Sequence, residues 1–119
     1  MAIQDQAEAL HSLAAALSVF RDETDEHVNL STFIVFLWIA RRPGITVMEI
    51  VDKSGAPRST VSRNISYLME TRRKTGKEGI HEGYSLVTDE NNPMDRRQTN
   101  YFLTPKGQRV AARLAAAFS

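Results

Sequence analysis

The 119-residue sequence contains no cysteine. That absence excludes a disulfide scaffold, a zinc ribbon, a cysteine nucleophile and a thiol redox sensor. Long apolar runs are missing as well. The longest, Phe33 to Ala40, has eight residues, against the roughly 20 that a membrane helix needs. The first ten residues, MAIQDQAEAL, carry acids where a secretory leader would carry bases, so the expectation is a soluble, cytoplasmic protein without a membrane partner. Histidine is scarce and scattered, at 11, 27 and 81, which gives no ligand spacing for a metal. At this length, with 42% hydrophobic residues, the chain is expected to form one domain over 1–119 around a single modest core. It is too short for a two-domain enzyme.

Enzyme motifs fail one by one. Gly76-Lys77 is followed by Glu78 rather than Ser or Thr, so there is no phosphate-binding P-loop. His81-Glu82 is followed by Ser85, not His, three residues on, so there is no zinc-protease helix. Asp89-Glu90-Asn91 starts like a calcium loop and then runs into Pro93. With no nucleophile–base pair in view, neither catalysis nor a cofactor is expected.

What is present is a charge asymmetry hidden under a net +1. Residues 1–40 hold one base (Arg21) and six acids (Asp5, Glu8, Asp22, Glu23, Asp25, Glu26). Residues 41–77 hold nine bases (Arg41, Arg42, Lys53, Arg58, Arg63, Arg72, Arg73, Lys74, Lys77) against Glu49, Asp52 and Glu70. A basic middle beside an acidic end points to one face for a polyanion, most simply nucleic acid.

Periodicity orders the elements. Leu10, Leu13, Ala14, Leu17 and Phe20 recur at helical spacing between Gln6 and Arg21, predicting an amphipathic helix. A second helix is expected from Asn29 or Ser31 through Phe33–Ala40; a buried strand competes, but Arg41-Arg42 before Pro43-Gly44 suits a helix end. Thr46-Val47-Met48-Glu49 fits a capping box opening a short helix that buries Val47, Ile50 and Val51 and stops at Ser54-Gly55. Pro57 then opens a longer helix, 57–71, burying Val61, Ile65, Leu68 and Met69. Residues 71–83, with three glycines and no period, read as a loop. Strands are expected at Tyr84–Thr88 and Thr99–Thr104 around a turn at Asn91–Pro93, giving a wing over 84–104. A last helix from Pro105 carries Val110, Leu114, Ala117 and Phe118 on one side. The predicted class is mainly α with a small β-hairpin (α+β), a winged helix-turn-helix.

In that arrangement the fourth helix is the reader. Opposite Val61 and Ile65 it displays Ser59, Thr60, Arg63, Ser66 and Tyr67, with Arg58, Ser59 and Ser62 in its first turns. Arginine grips guanine bidentately, and hydroxyls bond bases or phosphates. Two arginines near a hairpin tip, Arg96 and Arg97, suit a narrow minor groove, with Asp95 able to hold a neighbouring arginine. Beyond the helix, Arg72, Arg73, Lys74 and Lys77 suit phosphates or a helix carboxyl end.

Two stretches carry a family resemblance. PMDRRQTNYFLTPKG (93–107) resembles the wing signature of the MarR family of bacterial regulators, with Asp95, Arg97, Leu103, Thr104 and Gly107 in register. SGAPRSTVSRNISYLME (54–70) resembles that family's recognition helix. The resemblance implies a homodimeric, sequence-specific regulator of double-stranded DNA, usually a repressor, in which Arg58, Ser59, Thr60, Ser62 and Arg63 map to the reading helix. It maps Arg97 to the wing arginine with Asp95 as its orienting partner. Relatives often bind small aromatic effectors, so an effector is a further candidate partner. Three features depart from the pattern: a longer helix-to-wing segment, Pro57 at the serine cap position, and one short helix after the wing. The terminal stretches 1–22 and 105–119 are then expected to form the dimer contact. A plasmid or phage replication or partition protein, and a winged-helix protein–protein adaptor, are the alternative readings.

Overall fold

Asn29 decides the strand-or-helix question for the apolar run. Its side chain accepts the Thr32 N–H at 2.9 Å, satisfying one of the orphan amides of a helix that runs Leu30–Arg41. The computed structural model describes residues 5–73, 80–92 and 94–119. In chain order these form α1 (Gln6–Glu23), α2 (Leu30–Arg41), α3 (Val47–Ser54), α4 (Arg58–Leu68), β1 (Thr71–Arg73), β2 (Ile80–Glu82), β3 (Val87–Asn92), β4 (Asp95–Leu103) and α5 (Pro105–Ala116). Helices followed by a hairpin and a closing helix make the expected winged helix-turn-helix.

The core is an aromatic and branched cluster centred on α2. Phe20 of α1 meets Phe33 edge-on, ring centroids 4.8 Å apart, and Phe36 at 5.3 Å, the geometry that ring quadrupoles favour. Phe36, Ile39, Ile50, Val61, Leu68, Leu86 and Val110 close the cluster from α2, α3, α4, the wing base and α5. Trp38 packs at its edge and carries Arg41 over its ring at 4.7 Å.

In α1, Leu10, Leu13 and Leu17 are exposed, and the buried residues are Ser12, Ala16 and Phe20. Three expectations need correction. The last helix ends at Ala116, so Ala117 and Phe118 lie beyond it; Phe118 is exposed while Val110 and Leu114 are buried. The fourth helix, α4, ends at Leu68, not 71, because Met69 adopts an extended backbone. The 71–83 segment also contains paired strands, with Thr71 opposite Glu82, Arg72 opposite His81 and Arg73 opposite Ile80. Arg72 and Arg73 therefore stand in β1 rather than at a helix end, so the dipole role considered for them does not apply; Lys74 and Lys77 lie outside the described residues.

Within the expected span of the wing, the strands start at Val87 rather than Tyr84 and run further toward the tip than the sequence pattern suggested. β3 and β4 pair antiparallel from Val87–Leu103 out to Asn92–Asp95, with an irregularity at Asn91/Asn92; Pro93 of the expected turn lies outside the described residues. Its base is tied to the body twice. Tyr101 exchanges backbone bonds with the turn before α3: Gly44 N–H donates to its carbonyl at 2.7 Å, and its own N–H donates to the Ile45 carbonyl at 3.0 Å. Carbonyls at the end of α4 accept the Tyr84 and Leu86 amides (Tyr67 O at 3.0 Å, Leu68 O at 2.8 Å), so the segment leading into β3 caps α4.

Candidate nucleic-acid interface

The helix-turn-helix is built by three local devices. Thr46 and Glu49 form the predicted capping box: the Glu49 N–H donates to Thr46 Oγ1 at 3.2 Å, and the Thr46 N–H donates to Glu49 Oε1 at 3.0 Å. Gly55 ends α3 in the left-handed region at φ +76° with open space around it, so the demand there is conformational rather than steric. Pro57 takes the cap position of α4 at φ −61°, ψ 149° and offers no side-chain hydrogen bond. The first amides of α4 are thus left without the hydroxyl cap a serine would provide.

Around α4, Val61, Asn64, Ile65 and Leu68 face inward. Arg58, Ser59, Ser62 and Arg63 are exposed and Thr60 is half-buried, so the structure brings these five predicted residues onto one end of one helix. Among the described residues no carboxylate pairs with Arg58 or Arg63. Their charge is available to an outside anion.

Arg58 and Ser62 also line a cleft of about 440 Å³ whose other walls are Thr46, Val47 and Met48 of the α3 start and Gln98, Thr99 and Tyr101 of β4. α4 and β4 therefore share one concave surface. Asp95, Arg96 and Arg97 begin β4, immediately before Gln98; their side chains lie outside what is described. Burial and the nearby Asp89 carboxylate push the Tyr101 phenol above its ordinary value.

Sequence reading missed Met48, Gln98 and Thr99 in this cleft and the buried polar pair beneath it. Asn64 had a legible signal: it falls three residues after Val61, on the apolar face, where an amide is out of place without a partner. No helix of the described residues is long and apolar enough to cross a membrane, and no group of three or more metal-ligating side chains occurs among them.

Residues 28–72, which span α2 through the start of β1, match the MarR family model. Among solved structures, the transcriptional regulator Tm0710 from Thermotoga maritima superposes with a TM-score of 0.70 at 18% identity, over 92% of this chain and 66% of that one. The MarR family transcription regulator SP03579 gives 0.63 at 19%, over 95% and 65%. The PcaV regulator from Streptomyces coelicolor, solved with its natural ligand, gives 0.57 at 24%, over 98% and 77%. The chain thus spans about two thirds of the length of the first two. No curated protein matches it by sequence. At such identities the likeness establishes the fold, which is the winged helix of MarR-family regulators.

Proposed function

We propose that this chain, with a MarR-family segment at 28–72 inside a MarR-type winged helix, is a cytoplasmic homodimeric transcriptional repressor that binds double-stranded DNA. The observation that carries the reading is the shared concave surface of α4 and β4, lined on its helical side by Arg58 and Ser62, with Arg63 exposed on the same helix and no carboxylate pairing either arginine among the described residues. In this reading Arg58, Ser59, Thr60, Ser62 and Arg63 enter the major groove. The β4 start, with Arg97 and Arg96 oriented by Asp95, enters the adjacent minor groove.

The dimer is supported by what the fold leaves exposed. Leu10, Leu13 and Leu17 of α1 and Phe118 past α5 stand on the surface. Leu13 and Phe118 flank an apolar hollow of about 280 Å³ floored by Phe33, Leu37 and Leu114. Exposed apolar surface of this kind supports an interface, and it involves 1–22 and 105–119 as the terminal helices require. A small-molecule effector completes the partner set. PcaV carries a natural ligand, and here a hollow of about 250 Å³ between Leu17, Arg21, Glu26 and Leu30 offers apolar and charged walls.

The test is selection from a random-sequence duplex pool at two salt concentrations, sequencing the retained DNA. Enrichment of an inverted repeat with half-sites about one helical turn apart is the expected result. Retention without enrichment, or tandem repeated sites, would favour the replication or partition reading. Absence of salt-sensitive retention would favour the protein–protein adaptor.

A further inference from the structure

Beneath the reading face lies a polar pair that nothing in the DNA contact itself requires. Asn64 is 2% exposed and Thr32 1% exposed, at the packing seam between α4 and α2. The Thr32 hydroxyl donates to Asn64 Oδ1 at 2.7 Å, and Asn64 Nδ2 donates to the Thr60 carbonyl at 2.9 Å. That carbonyl orients the amide, since only its nitrogen side bonds favourably there. Asn29 Oδ1 already accepts the Thr32 N–H at 2.9 Å and lies 3.1 Å from its hydroxyl. Polar links therefore run from the cap of α2 to the second turn of α4.

A buried amide among Val61, Ile65 and Leu68 is unfavourable for both helix propensity and burial. An apolar residue would pack there without a partner. What the pair supplies is direction. Apolar side chains tolerate small rotations of one helix against another, whereas a hydrogen bond holds within about half an ångström and a narrow angle. A helix with its side chains is about 10–12 Å across, so a rotation of about 10° carries a side-chain end by roughly 1 Å. That is enough to lose a base contact. Nor does a side-chain cap pin the start of α4, because Pro57 supplies none.

We propose that Thr32 and Asn64 are positioning residues that set the rotation of α4, and through it the discrimination between DNA sequences. The inference rests on the DNA-binding reading, which it deepens. It is tested with Thr32→Val, Thr32→Ser and the double variant Thr32→Val/Asn64→Leu, in the full chain. Thr32→Val alone strands the Asn64 carbonyl oxygen and lowers the unfolding midpoint. The double variant removes both polar partners, which restores most of the stability. Anisotropy titrations then compare the duplex enriched by selection with a scrambled duplex of equal length at fixed salt. The expected ratio of the two dissociation constants falls roughly tenfold in the double variant, about what one base contact is worth, and stays unchanged in Thr32→Ser.

A second readout needs no DNA. The chain has no cysteine, so Ser59→Cys accepts a single fluorinated tag. We expect one narrow fluorine resonance in the parent and a broadened or multiple one in the double variant. A double variant with parental stability, discrimination and line shape would overturn the proposal. If the parent chain binds no duplex, the DNA-binding reading fails, while the fluorine line shape still decides whether the pair positions α4.

Discussion

Gly107 provides a sharp test because local and tertiary effects oppose each other. It lies in the first turn of α5 with a helical backbone, where alanine is ordinarily about 1 kcal/mol more favourable than glycine. Here, however, an added methyl would sit 2.1 Å from the Leu86 carbonyl oxygen and 3.2 Å from Leu103 Cβ. Ordinary carbon–oxygen contact is about 3.3 Å or more, so α5 and the wing base must separate by roughly 1 Å. Overpacking of that size costs about 1–3 kcal/mol. The same movement strains the Thr104 N–H bond to Leu86 O (3.0 Å) and the Thr104 hydroxyl bond to Ser85 O (2.7 Å), each worth about 1 kcal/mol. Gly107→Ala should therefore destabilise by about 2–4 kcal/mol, lowering the midpoint by roughly 8–16 °C for a domain of this size. Denaturation at several protein concentrations separates this from any shift in association. Gln108→Ala, at an exposed position on the same helix, is the control and should change little. A higher midpoint for Gly107→Ala would show that helix propensity wins and that the close approach to Leu86 is wrong.

Three further outcomes are expected. Arg97→Ala should weaken binding to all sequences and reduce the salt slope by about one, while Arg63→Ala should change which sequence is preferred; repeated selection with each variant checks this, and parental behaviour of both would remove the site assignment. Leu13→Glu places a charge on the exposed α1 stripe; an uncompensated buried carboxylate should weaken self-association at least about a hundredfold, read by analytical ultracentrifugation, and an unchanged dimer would move the interface elsewhere. Because Tyr101 titrates above its ordinary value of 10.0 in the fold, the unfolded chain loses that proton first, so this residue's contribution is constant below about pH 10 and stability falls as pH rises above it. Phenolate absorbance during alkaline titration, compared with Tyr101→Phe, measures the shift.

Helix starts were legible because capping chemistry is local. Thr46 and Glu49 sit three residues apart and bond as their spacing implies, and Asn29 and Thr104 cap their helices by single side-chain bonds. The hairpin after α4 was not legible. Its pairing joins residues about ten apart, across a stretch without alternation, and β pairing is a tertiary event that a short window does not contain. The Leu103-Thr104-x-x-Gly107 part of the wing signature was legible as a motif but not as a role. Thr104 caps α5 through the Gly107 N–H at 3.0 Å, and Gly107 allows α5 to approach Leu86; these residues join the wing to the body, and only the Asp95–Arg97 end remains a candidate DNA contact.

The α1 stripe shows what a helical pattern leaves open. Periodicity reports that one face of a helix avoids water; it says nothing about which chain does the covering. Leu10, Leu13 and Leu17 satisfy the pattern, yet the residues turned inward are Ser12, Ala16 and Phe20. Small side chains at 12 and 16 let α1 lie close on the core, and Phe20 alone supplies most of its buried volume. The leucines are then surplus to this chain's own folding, and a surplus of three leucines on one exposed face is costly in water, by about 25 cal/mol for each Å² left uncovered. Leu13 of that face borders an apolar hollow lined by Phe118, Leu37 and Leu114. A second copy presenting the same face meets it with matching chemistry, and a two-fold axis makes one such patch sufficient for both sides. The leucines that this chain's own core leaves exposed are thus the ones on which the proposed dimer depends.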